Sequence, residues 1–136
     1  MDSVSWPLKL ATDNIQKITK RELTELKGFT IPPVEIKMLC EAVTIIMGKS
    51  KPEWATVKKE FGSPNFLEKL VNLTKNEKDK LPAARMKKIF EYTKKKPTFT
   101  PEHMSKKSNA CKLLCEWVLC IENYHRICEL VKPRLA

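Results

Sequence analysis

Apolar residues recur at helical spacing through the last quarter of the chain, from residue 111 onward. They occupy nearly two faces of a helix, so a helix there must be packed on several sides. A start signal lies upstream, where Thr100 offers a capping hydroxyl, Pro101 suits the first helical position and Glu102 places an acid in the first turn. We therefore expect one long helix from Thr100 to about Val131. Its apolar positions are Cys111, Leu114, Cys115, Val118 and Ile121 on one run, and Trp117, Tyr124, Ile127 and Val131 on the other.

Shorter amphipathic segments fill the rest of the chain. Residues 7–27 carry a narrow apolar stripe of the kind found in coiled-coil seams, and Gly28 is suited to end that helix. Four further segments each open at a proline and then place apolar residues at helical spacing, at 33–47, 52–61, 64–73 and 82–94. No segment alternates strictly over the length of a strand. The pattern thus predicts an all-α fold.

The first and last predicted helices can pair through their apolar stripes if they run antiparallel. We expect a single domain over residues 1–136, in which a six-helix globular head sits on an antiparallel two-stranded coiled-coil stem. The head would span about residues 18–126, and the stem strands about 7–17 and 127–136. The expected seam sets Leu8, Ala11, Ile15 and Ile18 against Ile127, Val131 and Leu135.

The chain is strongly basic. With 26 basic and 16 acidic residues, its formal net charge is +10 at pH 7, which indicates an anionic partner. Nucleic acid, an acidic lipid surface and an acidic protein surface all fit that charge. No apolar run reaches the roughly 18 residues of a transmembrane helix, and no signal-peptide pattern opens the chain. We therefore expect no segment that spans a membrane.

The cysteines and glycines do not form a catalytic or metal-binding pattern. Four of the five cysteines (Cys111, Cys115, Cys120 and Cys128) lie in the predicted long helix, which indicates a reducing, intracellular compartment. A pair such as His125 and Cys128 supplies two ligands, whereas a zinc site needs about four. The three glycines form no phosphate-binding motif. We expect buried thiols, no metal, no cofactor and no catalysis by this chain.

Basic residues are concentrated at a few places. Residues 85–107 alone hold eight basic and two acidic residues. If the end of the first helix meets the start of the sixth at the head, clusters on three helices share one face. The candidate binding residues are Lys17, Lys20, Arg21 and Lys27 on the first helix, Lys58 and Lys59 on the third, and Lys106 and Lys107 on the sixth.

The type of residue in these clusters helps to distinguish the partners. They are rich in lysine and poor in aromatic side chains, whereas base readout and single-strand binding use arginine forks and stacking platforms. This favours an acidic protein surface. A basic helical nucleic-acid-binding module remains the alternative, and an adaptor that pairs with another chain through its coiled-coil ends is a third reading.

A series of short motifs occurs in a recognisable order along nearly the whole chain. They comprise Leu23-Thr24-Glu25-Leu26-Lys27, Pro32-Pro33, Glu41-Ala42-Val43 before Gly48, Trp54, Asn65-Phe66-Leu67, Val71-Asn72-Leu73, Ala110-Cys111 before Trp117, Asn123-Tyr124, and Val131 with Pro133. In order and spacing they resemble the microtubule-binding domain at the tip of the dynein heavy-chain stalk. That family has a six-helix head on an antiparallel coiled coil. The cysteine-rich last helix and the run Lys94–Lys96 are most similar to axonemal members.

The resemblance implies a function and a set of contacts. The head would grip the groove between tubulin subunits with its first, third and sixth helices, and the register of the coiled coil would set the affinity. Lys20, Lys27, Lys58 and Lys106 match basic contact positions of the family; Lys17, Arg21, Lys59 and Lys107 are included on charge alone.

The resemblance also carries a regulatory and a cellular implication. Glu102 could form an i, i+4 pair that holds Lys106 back until tubulin competes for it. The chain would be joined through its stalk to the rest of a dynein heavy chain, whose ATPase lies elsewhere. It would work in the cytoplasm on the cytoskeleton, within the axoneme of a cilium or flagellum, with no nucleic acid and no membrane as partner.

Overall fold

The computed structural model describes residues 5–48, 53–76, 82–95 and 99–135, and its regular structure is helical throughout these ranges. The predicted all-α class is confirmed. Six helices of 5 to 13 residues lie in the chain between a first helix and a long last one. The elements are α1 (Ser5–Ile15), α2 (Lys20–Lys27), α3 (Val34–Ile46), α4 (Trp54–Phe61), α5 (Phe66–Asn76), α6 (Ala83–Lys95), α7 (Pro101–Ser105) and α8 (Asn109–Leu135).

The segment 7–27, predicted as one helix, is two helices, α1 and α2, separated by a short turn. The break comes from a capping box. The Glu22 backbone N–H donates to Thr19 Oγ1 at 3.1 Å, and Glu22 Oε1 accepts from the Thr19 backbone N–H at 2.9 Å. Each residue thereby satisfies a donor that the helix start leaves free. The prediction was wrong because the apolar stripe continues across the turn through Ile18, which is buried.

The predicted long helix from Thr100 is also two helices. Thr100 caps α7 as predicted, accepting from the His103 N–H at 3.2 Å. The helix then stops at Ser105, and α8 starts at Asn109. Ser108 Oγ accepts from the Cys111 N–H at 3.1 Å, so this hydroxyl serves the first turn of α8. Consequently Lys106 and Lys107 lie in a turn between two helices and not within a helix.

The four helices in the middle of the chain agree with the predicted segments to within three residues at each end. At the start of α5, where the sequence offers Ser63 as a cap, the Ser63 hydroxyl donates to Asn65 Oδ1 at 2.7 Å. Ser50 and Glu53 have the spacing of a capping box in the sequence, but Ser50 lies outside the described residues and Glu53 is itself the N-cap residue of α4. The helical spacing of residues 82–94 predicts that Met86, Ile89 and Phe90 face the core; Met86 and Ile89 are buried, but Phe90 is 40% exposed.

Helix α8 lies at the centre of the core. Trp117, Leu114 and Val118 are fully buried, and α1, α3, α6 and α7 all pack against this helix. The Trp117 indole N–H donates to Thr74 Oγ1 of α5 at 2.9 Å, and the Thr74 hydroxyl donates to the Leu70 carbonyl at 2.8 Å. The polar groups of this buried pair are therefore satisfied, and α5 is tied to α8.

The pairing of α1 with α8 is the most extensive among the helices. Ala11, Ile15 and Ile18 from the expected seam are buried, and Ile127 is half-buried. The side chains of Leu8, Val131 and Leu135 lie outside the described set. The division into a head at 18–126 and two stem segments stays a prediction.

The capping box of α2 can be tested by mutation. Thr19→Ala removes the hydroxyl that accepts from Glu22, and we expect the free energy of unfolding to fall by about 1 kcal/mol. Thr24→Ala is the matched control, since Thr24 is exposed within the same helix and alanine is the better helix former. Urea denaturation followed by circular dichroism measures both. Equal stabilities of the two variants would show that the box does not hold the start of α2.

Candidate functional site

The eight basic residues proposed from the sequence all lie in the described part of the chain. Seven of them are exposed, and Lys27 is half-buried. They fall at three places. Lys17 is in the turn before α2, while Lys20, Arg21 and Lys27 are on α2 itself; Lys58 and Lys59 are on the last turn of α4; Lys106 and Lys107 are in the α7–α8 turn.

The first two places are brought together because α2 packs against α4. The Trp54 indole N–H, at the start of α4, donates to the carbonyl of Phe29 just beyond α2 at 2.7 Å. At the other end of α4, a Cβ added to Gly62 would lie 3.2 Å from Lys27 Nζ. The Lys27 ammonium group thus lies beside the C-terminus of α4, where the helix dipole favours positive charge.

A concave surface runs between α2 and the α4–α5 connection. It has a volume of about 400 Å³, and its lining includes Lys20, Lys27, Phe61, Pro64 and Leu67. Lysine stems with apolar neighbours and ammonium groups at the rim are suited to contact a protein surface that carries carboxylates.

Arg21 differs from the lysines of α2 because it has a partner on its own helix. Its Nε lies 3.8 Å from Glu25 Oε1, and both side chains are largely exposed. An exposed pair of this kind contributes at most about 1 kcal/mol, so it does not prevent Arg21 from meeting another anion.

Beside the α7–α8 turn, which carries the third group of basic residues, lies an acid that the sequence analysis did not identify. Glu35 Oε2, in the first turn of α3, lies 3.1 Å from His103 Nε2 and 3.7 Å from Lys107 Nζ. The pKa of Glu35 is lowered, first by a hydrogen bond from its own backbone N–H, then by the hydrogen bond from His103 and by the charge of Lys107. This ionised carboxylate links the start of α3 to α7 and the turn that follows it.

The sequence alone gives only a weak indication that Glu35 lies beside His103 and Lys107. Glu35 stands in the first turn of a predicted helix, where acids are common, and its partners are about 70 residues away in the chain. The i, i+4 pair expected between Glu102 and Lys106 is not formed among the described residues, where both side chains are exposed. Helix α7 ends at Ser105, and the Lys106 N–H instead closes its last turn by donating to the His103 carbonyl at 3.2 Å.

The thiols of the core are protected from reaction. Cys40, Cys111 and Cys115 are buried and free, as the sequence predicted, and Cys120 is half-buried and free. Burial raises the pKa of all four thiols, that of Cys115 to about 12. They are therefore protonated at neutral pH. The side chain of Cys128 lies outside the described set.

Residues 5–48, 53–76, 82–95 and 99–135 contain neither a metal-binding cluster nor a membrane-spanning helix. Within those ranges, no three histidine, cysteine, aspartate or glutamate side chains are grouped so that they could hold a metal ion. None of the helices described combines the length and the apolar character needed to cross a bilayer.

Comparison with known proteins covers nearly the whole chain. The family described as the microtubule-binding stalk of the dynein motor matches residues 4–136. Human dynein axonemal heavy chain 14 is 37% identical over 120 residues, which is 88% of this chain. Human dynein axonemal heavy chain 2 is 32% identical over 127 residues, or 93% of this chain. The chain spans 3% of the length of each of these two relatives.

A solved structure has the same arrangement of helices. The microtubule-binding domain of dynein-c superposes with a TM-score of 0.77 at 28% identity, covering 96% of this chain and 90% of that one. The resemblance noted from the sequence is confirmed. Because the family match and the relatives both extend over most of the chain, the chain belongs to the family of dynein microtubule-binding stalk domains.

Proposed function

We propose that this chain binds microtubules through the basic surface formed by α2, α4 and the α7–α8 turn. The observation that carries the proposal is the packing of α2 against α4, which groups exposed lysines from separate parts of the chain. Membership in a microtubule-binding family supports the choice of partner. The net charge of +10 fits an acidic protein lattice.

The proposed contacts rest on three groups of side chains. Lys20 and Lys27 line the concave surface, Lys58 is exposed on the last turn of α4, and Lys106 is exposed next to α7. Lys17, Arg21, Lys59 and Lys107 add charge around them. Exposed lysines contribute mainly to the association rate and to orientation, so binding is expected to weaken as salt is raised.

Helices α1 and α8 would connect this chain to the rest of the motor. These helices form the most extensive helix pair, and we propose that they continue into a stalk joined to the remainder of a dynein heavy chain. Their register would set the affinity of the head, and ATP hydrolysis would belong to another part of that heavy chain. The axonemal relatives support a location in the cytoskeleton of a cilium or flagellum.

Reversal of two charges tests the surface. We expect Lys20→Glu with Lys106→Glu to weaken co-sedimentation with polymerised microtubules by about tenfold or more, because both changes set a carboxylate against an acidic lattice. The matched control is Lys75→Glu with Lys87→Glu. Both of these lysines are exposed, the net charge changes equally, and neither residue is in the proposed surface. Circular dichroism checks that each variant remains helical.

Two results would contradict this function. Equal losses in both double variants would show that net charge, and not this surface, governs binding. Length-dependent binding to duplex DNA of any sequence, without saturable binding to microtubules, would favour the nucleic-acid reading.

The effects of Glu35 and Glu102 on microtubule binding can be compared by replacing each with glutamine. Glu35→Gln is expected to tighten microtubule binding several-fold, because it releases Lys107 and removes a negative charge from the surface. Glu102→Gln removes the same charge from an exposed side chain without an ion pair to Lys106 among the described residues, and so we expect a smaller gain. Titration by co-sedimentation at fixed salt measures both. A larger gain in affinity from Glu102→Gln than from Glu35→Gln would contradict this and would indicate that Glu102 restrains Lys106, as the sequence resemblance implied.

A further inference from the structure

Three exposed apolar side chains lie within six residues of the chain, two in the connection between α2 and α3 and one at the first position of α3. Phe29 is 37% exposed, Ile31 88% and Val34 67%. We call them the apolar loop cluster. A single exposed apolar residue needs no explanation, but three within six residues are a local concentration of exposed apolar side chains, and such concentrations often mark interaction sites.

The apolar loop cluster is linked to each of the three groups of basic residues, on α2, on α4 and in the α7–α8 turn. Lys27, the last residue of α2, precedes Phe29 by two residues. The Phe29 carbonyl accepts from the Trp54 indole N–H at 2.7 Å, which fixes the loop to the start of α4. Val34 directly precedes Glu35, whose carboxylate meets His103 and Lys107. The segment that carries the cluster is therefore connected to α2 and α4 at one end and, through Glu35, to the α7–α8 turn at the other.

The loop is also restrained before any partner arrives. Pro32 and Pro33 are half-buried and have fixed φ angles, and the carbonyl of Pro33 accepts the first hydrogen bond of α3 from the Lys37 N–H at 2.9 Å. The tie from Phe29 to Trp54 restrains the other end. A loop held in this way loses little conformational entropy when it docks, which favours its use as a contact.

We propose that the apolar loop cluster is the central contact of the microtubule-binding surface and docks into an apolar recess on tubulin that is bordered by carboxylates. Stable protein interfaces commonly place apolar groups at the centre and charged groups at the rim. Here Ile31 and Val34 supply the apolar centre, and the lysines of α2, α4 and the α7–α8 turn supply a basic rim. This inference rests on the proposed function and adds an apolar contact to the charged contacts already proposed.

The two kinds of contact respond differently to salt. Attraction between exposed charges is screened as ionic strength rises, while burial of an apolar side chain is not. Loss of the apolar contact should therefore lower the affinity by a similar factor at every salt concentration. Loss of a lysine should lower it most at low salt.

The test uses Ile31→Ser with Val34→Ser in the whole chain. Both side chains are exposed, so we expect the fold to be kept, with circular dichroism and thermal unfolding as the check. We expect binding to polymerised microtubules about tenfold weaker, which corresponds to about 1.4 kcal/mol. The slope of affinity against salt should stay that of the unchanged chain. The matched control is Phe90→Ser, an apolar residue of α6 that is 40% exposed, and it should bind as the unchanged chain does.

The remaining outcomes each overturn the inference in a distinguishable way. Unaltered affinity of the Ile31→Ser, Val34→Ser variant, with a loss in the Lys20→Glu, Lys106→Glu variant, would remove the apolar contact and leave the proposed function standing. Absence of microtubule binding by the unchanged chain would overturn both. A concentration-dependent dimer in analytical ultracentrifugation that this serine variant abolishes would assign the cluster to a second copy of the chain.

Discussion

The structure depends on the burial of α8 along more than one face. Trp117, Leu114 and Val118 are removed from water, and helices from both halves of the chain pack on them. A single helix of this kind is unstable alone, because most of its free energy comes from apolar surface covered by its neighbours. The short helices are therefore stabilised together, and the positions of their surface charges follow from how each one packs against the core.

Helix α7 illustrates this dependence. It has five residues, too few to be stable as an isolated helix. Met104, near its end, is fully buried, and the Glu35 carboxylate meets His103 on the same helix. The placement of Lys106 and Lys107 at the surface is thus a product of tertiary contacts, although both residues are exposed.

Features that depend on residues close together in the chain could be predicted from the sequence, whereas contacts between distant residues could not. Helical spacing of apolar residues identifies α3 through α6, because burial on one face imposes that spacing directly. The turns before α2 and α8 were missed, since the apolar pattern runs through them and only the hydroxyls of Thr19 and Ser108 mark the new starts. The candidate lysines could be named from charge. Glu35 and the apolar loop cluster could not be placed beside them, because their neighbours come from distant parts of the chain.

The buried thiols have a practical consequence for kinetics. A protonated, inaccessible thiol reacts with an alkylating reagent only when the surrounding structure opens. Cys40 on α3 and Cys115 on α8 lie on different helices of the same core, so their labelling rates compare the opening of two parts of it. The native sequence therefore contains its own reporters of slow core motion.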